Sequence, residues 1–326
     1  MSRLCRYKES LNRFINDRSC LFNKDNIPNN NIQDIIYNKF KNSDLVLPIM
    51  LLTIMNNQNK KNSKTIQGYY AASMIQIAQI LLDLFENGEK NDINYKTREY
   101  LLIMATNSLY QNLETVKDNF DGDMSSEIII NTLKVYHERI SYNNIMSEYN
   151  LEISNDKPCK DVKDWYIRDD SSLNAHFDNI KTITKKSFKE YITKKIGSIC
   201  ELAFQVGWII GCGCSKESKR ISKVAKAFCY IYKLSQDFEN LDEDIRKAKN
   251  GITTNFVVNY GLQNSYEIFM DNKQKFIEHS MGLNIFTSTV KEILNYIEAK
   301  VDNVINQTSP DLRSTYSNLQ SMSTFQ

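Results

Sequence analysis

Apolar positions recur along most of this chain with a helical period. From Tyr69 to Glu86, Ala71, Met74, Ile75, Ala78, Leu81, Leu82 and Phe85 keep a 3.6-residue repeat, and Asn87-Gly88 closes the stretch with a good helix C-cap signal. The same reading predicts helices over Ile32–Phe40, Leu45–Met55, Arg98–Val116, Ser125–Tyr149, His176–Ile192, Lys194–Gly211, Ser218–Lys249, Thr253–Tyr260, Tyr266–Ile277 and Phe286–Ile305. Pro48 falls in the first turn of its helix, where a missing N–H is tolerated. The Lys194–Gly211 pattern is apolar nearly all round, which marks a central helix. Its apolar run Leu202–Ile210 contains Gln205 and is too short to cross a bilayer.

Polar stretches punctuate these elements. Residues 1–32 open on a short helical pattern (Tyr7, Leu11, Phe14, Ile15) and pass into NKDNIPNNN, and they are expected to form an N-terminal arm. NNQNKKNSK (56–64) is a polar connection. SNDKPCKD (154–161) reads as a long loop, not a domain boundary, because the helical character resumes after it. The tail 309–326 is polar and expected to be flexible. What remains, 33–308, is predicted to be a single helical domain. The composition agrees: apolar residues make up 41%, enough for a sizeable core, and ten Gly and four Pro are few for a β-rich chain of 326 residues. The fold class expected is all-α.

Charge and cysteine usage narrow the function. A formal net charge of +2 lacks the basic excess of a nucleic-acid binder, so no specific nucleic-acid binding is expected. Seven cysteines without a CxxC, and three scattered histidines (His137, His176, His279), argue against a zinc site and for free thiols in a reducing compartment. The N-terminus has no apolar signal-peptide core. A soluble cytoplasmic protein is expected, with peripheral membrane association through the basic helix 216–226 (Lys216, Lys219, Arg220, Lys223, Lys226) as a second reading beside a plain solvated face. Asp169-Asp170-Ser171-Ser172 reads as a helix N-cap.

Two acidic clusters lie at the C-terminal ends of apolar helices. One is Asp83-Leu84-Phe85-Glu86-Asn87-Gly88-Glu89; the other is Gln236-Asp237-Phe238-Glu239-Asn240-Leu241-Asp242-Glu243-Asp244. Carboxylates four apart share a helix face, so two such faces could hold Mg²⁺ and, through it, a diphosphate. The bland alternative is two solvated helix ends.

Residues 194–261 resemble the C-terminal half of a trans-isoprenyl diphosphate synthase of the polyprenyl synthetase family, most nearly the forms of large DNA viruses. Lys195-Ile196 sits at that family's Lys-Thr step, LAFQVGWIIGCG is similar to its apolar helix with a Gly-rich end, and Tyr232–Asn240 occupies its second aspartate-rich motif. Thr254-Asn255-Phe256 and Tyr260-Gly261 match the segment that follows. Upstream, Ser73–Asp83 is similar to the helix leading into the first motif, so the resemblance spans about residues 40–300. It implies an isoprenoid-synthase-type helical bundle around a central cavity, in which the two motifs bind Mg²⁺ that grips an allylic diphosphate. The cations would offset charge on the leaving group as an allylic cation forms and isopentenyl diphosphate attacks it.

The sequence departs from that pattern where the chemistry lies. Leu84 follows Asp83 where a second aspartate is expected, and the closing acid is Asn87 in one register or Glu89 in a longer one. Gln236 replaces the leading aspartate of the second motif, Asp237 remains, and Asn240 replaces the last. Gly-Gly-Lys-x-x-Arg-Pro aligns with Asn42–Pro48, which places Asp44 at the lysine and Leu47 at the arginine. The arginine pair after the first motif is absent, with Lys96 and Arg98 nearby but off register. Each lost bidentate arginine removes charge-assisted hydrogen bonds of about 1.5–3 kcal/mol each. Ala78 and Gln79 leave the chain-elongation pocket open in such a relative.

The resemblance thus implies a catalytically degraded synthase-like protein, acting as a binding or structural protein or as a non-catalytic subunit. The alternative is an active, divergent Mg²⁺-dependent prenyltransferase or terpene-synthase-like enzyme. If a site is retained, its metal ligands are drawn from Asp83, Asn87, Glu89, Gln236, Asp237, Asn240 and Asp244, and its diphosphate contacts from Lys195, Lys96 and Arg98. Mg²⁺ is the cofactor implied for a working site. The partners implied are a second copy or an active synthase, with an isoprenoid or other apolar ligand.

Overall fold

In a computed structural model the described residues are 2–18, 30–61, 67–87, 91–147, 151–154, 156–168, 170–248 and 250–308. Glu89, most of the Asn/Asp-rich stretch after the first helix, and the tail 309–326 lie outside them. The helices in chain order are α1 (Arg3–Asp17), α2 (Asn30–Lys41), α3 (Val46–Lys61), α4 (Tyr69–Asn87), α5 (Asp92–Lys117), α6 (Gly122–Arg139) and α7 (Ser171–Asp178). They continue with α8 (Lys185–Lys194), α9 (Ile196–Ile210), α10 (Ser218–Glu239), α11 (Leu241–Arg246), α12 (Phe256–Tyr260), α13 (Leu262–Gly282) and α14 (Ser288–Thr308). Among the described residues there is no strand, only an isolated antiparallel bridge between Ile153 and Ile183. The all-α class expected from the sequence is the one observed.

The chain packs as two compact units, each discontinuous in sequence. Of the described residues, those within 1–148, 194–226 and 279–293 form unit 1, and those within 149–193, 227–278 and 294–326 form unit 2. No composition shift marks this division, because segments of both units alternate along the chain.

Helix α9 is the centre of unit 1. Ile196 to Gly207 is buried without a break, as its all-round apolar pattern requires, and α3 and α6 pack against it. Gly207 makes the α3 contact close: a Cβ there would stand 2.7 Å from the Leu51 carbonyl oxygen. Only a residue without a side chain lets the two backbones approach so nearly. The buried charge on α9, Glu201, is paired with Arg139 of α6 at 2.6 Å. Helix α4 packs on α5 and α3, and α1 on α4 and α3. Leu11, Phe14 and Ile15 of α1 are buried, with Phe14 against the Tyr69 and Tyr70 rings at 5.3 and 4.8 Å.

Unit 2 is built on α7, α8, α11 and α12 together with parts of longer helices. Three predicted helices differ here or at the junctions. The Ser125–Tyr149 pattern stops at Arg139, and 140–147 form turns. The Ser218–Lys249 pattern breaks at Asn240, which starts α11. His176–Ile192 is two helices, α7 and α8, separated by Asn179–Thr184. The reason lies in Thr182-Ile183-Thr184, a β-branched run that helices disfavour and extended backbone accepts. Asn259 holds it extended by accepting from the Ile183 N–H at 2.9 Å, and the Tyr260 hydroxyl donates to the Ile183 carbonyl at 2.8 Å. Asp170 caps α7 by accepting from the Leu173 N–H at 2.9 Å.

Candidate functional site

Helix α4 carries the first acidic cluster in unit 1. Asp83, four residues before its end, is ion-paired with Lys39 of α2, and both side chains are partly open to water (36% and 38% exposed). Asn87 is the last residue of α4. Arg98 of α5 donates to the Leu84 carbonyl, one of the orphan carbonyls at the end of α4, and its guanidinium lies 4.5 Å from the Phe85 ring and 5.4 Å from Tyr95. Lys96 is exposed and paired with Asp92 at 2.7 Å, which raises its pKa through that hydrogen bond. Arg98 therefore serves as a helix cap, and Lys96 as half of an i,i+4 surface pair.

Lys195, between α8 and α9, belongs to unit 1 and is 2% exposed. Its ammonium donates to the Ile145 carbonyl at 2.8 Å and the Ser147 carbonyl at 2.5 Å, and stands 5.7 Å from the Phe85 ring. Phe85 thus brings Lys195 and Arg98 together, one ring contacted by two cations. The 42–48 segment is a helix start. Asp44 accepts from the Val46 N–H at 3.0 Å, and Leu45 sits at φ +58, a left-handed conformation rare outside glycine.

In unit 2, α10 carries the second cluster. Asp237 is 2% exposed and both its carboxylate oxygens are taken by the chain: Oδ1 accepts from Lys233 Nζ at 2.6 Å, and Oδ2 from the Phe256 N–H at 2.9 Å. Burial pushes its pKa from the ordinary 3.8 up to about 6, against the opposing pull of Lys233 and the Phe256 hydrogen bond. It is still ionised at neutral pH, as an ion pair requires. Asn255 ties the cluster together, donating to the Asp237 backbone carbonyl at 2.7 Å and to Asp244 Oδ2 at 2.8 Å. Burial raises the Asp244 pKa as well. Gln236 is half-buried and Asn240 exposed. Asp242, Glu243 and Asp244 occupy the first turn of α11, where carboxylates offset the partial positive charge of a helix N-terminus.

The structure thus joins Asp237 and Asp244 through Asn255, and Lys195 and Arg98 through Phe85. Lys233 on Asp237 and Lys39 on Asp83 were not singled out from the sequence, and Asn255 was read there only as part of the segment after the second motif. The signal for Lys233 was present: it stands four residues before Asp237 and so on the same helix face.

The second cluster does not suit Mg²⁺. That ion needs anionic oxygens in near-octahedral array and dehydrates reluctantly, whereas the one carboxylate at the motif's aspartate positions is already bound by an ammonium. Among the described residues no group of three His, Cys, Asp or Glu side chains is disposed to hold a metal. No helix among them is long and apolar enough to cross a membrane.

No family model matches the sequence, and no curated protein matches it. Solved structures do resemble it. A Helicobacter pylori geranyltransferase complexed with magnesium and isoprenyl diphosphate superposes with a TM-score of 0.58 at 10% identity, over 93% of this chain and 99% of the other. A geranyltransferase from Legionella pneumophila gives 0.56 at 10% identity over 93% and 99%. An FPP/GFPP synthase from Zymomonas mobilis gives 0.51 at 10% identity over 92% and 99%. At that identity the likeness speaks for architecture alone, and the chain has the all-α fold of these prenyl diphosphate synthases.

Proposed function

We propose that this protein is a prenyl-synthase-fold protein that has given up prenyl transfer and acts as a binding or structural subunit. The observation that carries this reading is the Lys233–Asp237 pair. An ammonium from the chain sits on the one carboxylate left at the second motif's aspartate positions, 2.6 Å away and out of water. Removing one partner of a buried pair costs about 3–5 kcal/mol, so a dication would have to overcome that loss before gaining any ligand. Lys195 supports the same reading, because its ammonium is committed to two backbone carbonyls. So does Asp44, an acid where the resemblance would place a diphosphate-binding lysine.

The subunit reading draws on unit 1. Ile103 and Tyr110 of α5 and Ile130 of α6 are 57%, 61% and 64% exposed, large apolar side chains fit to meet a second copy of this chain or a working synthase. Full-length protein incubated with allylic and isopentenyl diphosphates and Mg²⁺ is expected to release no diphosphate and make no longer prenyl product. Turnover that disappears in Asp83→Ala would establish the divergent-enzyme alternative instead.

A further inference from the structure

Unit 2 contains a cavity of about 440 Å³ walled by α8, α10, α12 and α13. Its lining follows helical faces. Helix α8 contributes Lys185, Phe188, Lys189 and Ile192, spaced i, i+3, i+4, i+7; α13 contributes Ile268 and Lys275. Phe188, Ile192 and Phe256 are buried, and Phe188 meets Phe256 and Tyr260 edge-on at 5.3 Å each. The Tyr260 hydroxyl is already bound to the Ile183 carbonyl, so what this residue adds to the wall is chiefly ring.

The charge around this aromatic floor is of one sign. Lys185, Lys189 and Lys275 are exposed, no carboxylate lines the cavity, and none of the three lysines has an ion pair among the described residues. Elsewhere in the same unit Lys163, Lys233, Lys273 and Lys300 each sit on a carboxylate. Lys185 and Lys189, four apart, repel each other on their helix, a repulsion that a bound anion would reverse. The volume lies within the range of small-molecule pockets, about 300–1,000 Å³.

We propose that this cavity binds a small amphipathic anion, its apolar body against Phe188, Phe256 and Tyr260 and its phosphate or carboxylate head on Lys185, Lys189 and Lys275. The site needs no metal and makes no use of the acidic clusters, so it stands or falls separately from the reading of those motifs. A free amphiphile and a membrane lipid share this chemistry.

Calorimetric titration of the full chain with dodecyl phosphate below its micellar concentration tests the site, with dodecanol, inorganic phosphate and phosphatidylglycerol vesicles as parallel arms. One saturable site is expected, with dodecyl phosphate bound about tenfold or more tighter than either dodecanol or phosphate alone. Lys185→Gln with Lys189→Gln is expected to weaken it about tenfold by removing the head-group charges. Ile268→Trp, which fills the cavity and leaves the lysines in place, is expected to abolish it. Vesicle binding that accompanies binding of the monomeric amphiphile, both lost in the same variants, identifies a membrane lipid as the source; binding of the monomeric amphiphile alone identifies a soluble one. Absence of binding, indifference to both variants, equal affinity for inorganic phosphate, or binding to vesicles only would each overturn the proposal.

Discussion

Asp83 and Asp237 both lie near the C-terminal end of a long helix, and both are paired with a lysine. The lysine of Asp83 comes from another helix, α2, and more than a third of each side chain remains in water. The lysine of Asp237 comes from the preceding turn of its own helix, and the carboxylate is fully enclosed. An exposed pair of the first kind contributes about 0–1 kcal/mol and exchanges partners freely. A buried pair of the second kind is costly to break because the survivor is left charged and without water. Two aspartates that look equivalent in the sequence therefore differ in setting: Asp83 stays open to water, and Asp237 is part of the core.

The sharpest way to break this comparison is to cut each pair. Lys233→Met or Asp237→Ala is expected to lower unfolding stability by about 3–5 kcal/mol in guanidinium titration. A loss under 1 kcal/mol would place Asp237 in the same class as Asp83. Lys195→Met comes next, at about 2–3 kcal/mol, because two charge-assisted hydrogen bonds to the Ile145 and Ser147 carbonyls are lost. Limited proteolysis should then find new cleavage in the turns at 140–147, and unchanged digestion would remove Lys195 from this structural role.

The pH dependence of stability sharpens the contrast from another side. The Asp237 pKa is raised, from 3.8 to about 6. Between those values the native state holds a proton that the unfolded chain has released, so this group's contribution favours folding as pH falls through 6 and levels off below about 4. Melting temperatures measured across that window are expected to show a rise toward acid that is missing in Asp237→Asn. The smallest effect belongs to the first cluster: Lys39→Met or Asp83→Asn is expected to change stability by about 1 kcal/mol or less.

The sequence made the helices legible where apolar periodicity was strong and uninterrupted, as in α4 and α9. It misled at Asn179–Thr184, where Phe177, Ile180 and Ile183 continue a helical spacing although Thr182-Ile183-Thr184 prefers extended backbone. Nothing local could reveal that Asn259 and Tyr260, some 76 and 77 residues downstream, hold Ile183 in place. Of the candidate site, Asp83, Asp237 and Lys195 were readable as departures and survivals within a motif. Their partners were not. Lys39 and the Ile145 and Ser147 carbonyls are distant in sequence, and their contacts exist only once the helices pack. Lys233 was within reach, since an i,i+4 Lys–Asp pair is a local feature of one helix face.

Magnesium titration of the full-length protein, read by calorimetry in the presence of inorganic diphosphate, shows whether a dication can take Asp237 from Lys233. Once the heat of magnesium–diphosphate complexation without protein is subtracted, the wild-type chain is expected to give no saturable signal at millimolar Mg²⁺, because Lys233 already occupies Asp237, and Lys233→Gln combined with Gln236→Asp is expected to create one. Saturable binding by the wild type that disappears in Asp237→Asn would contradict the account, since it would mean the dication displaces the lysine after all.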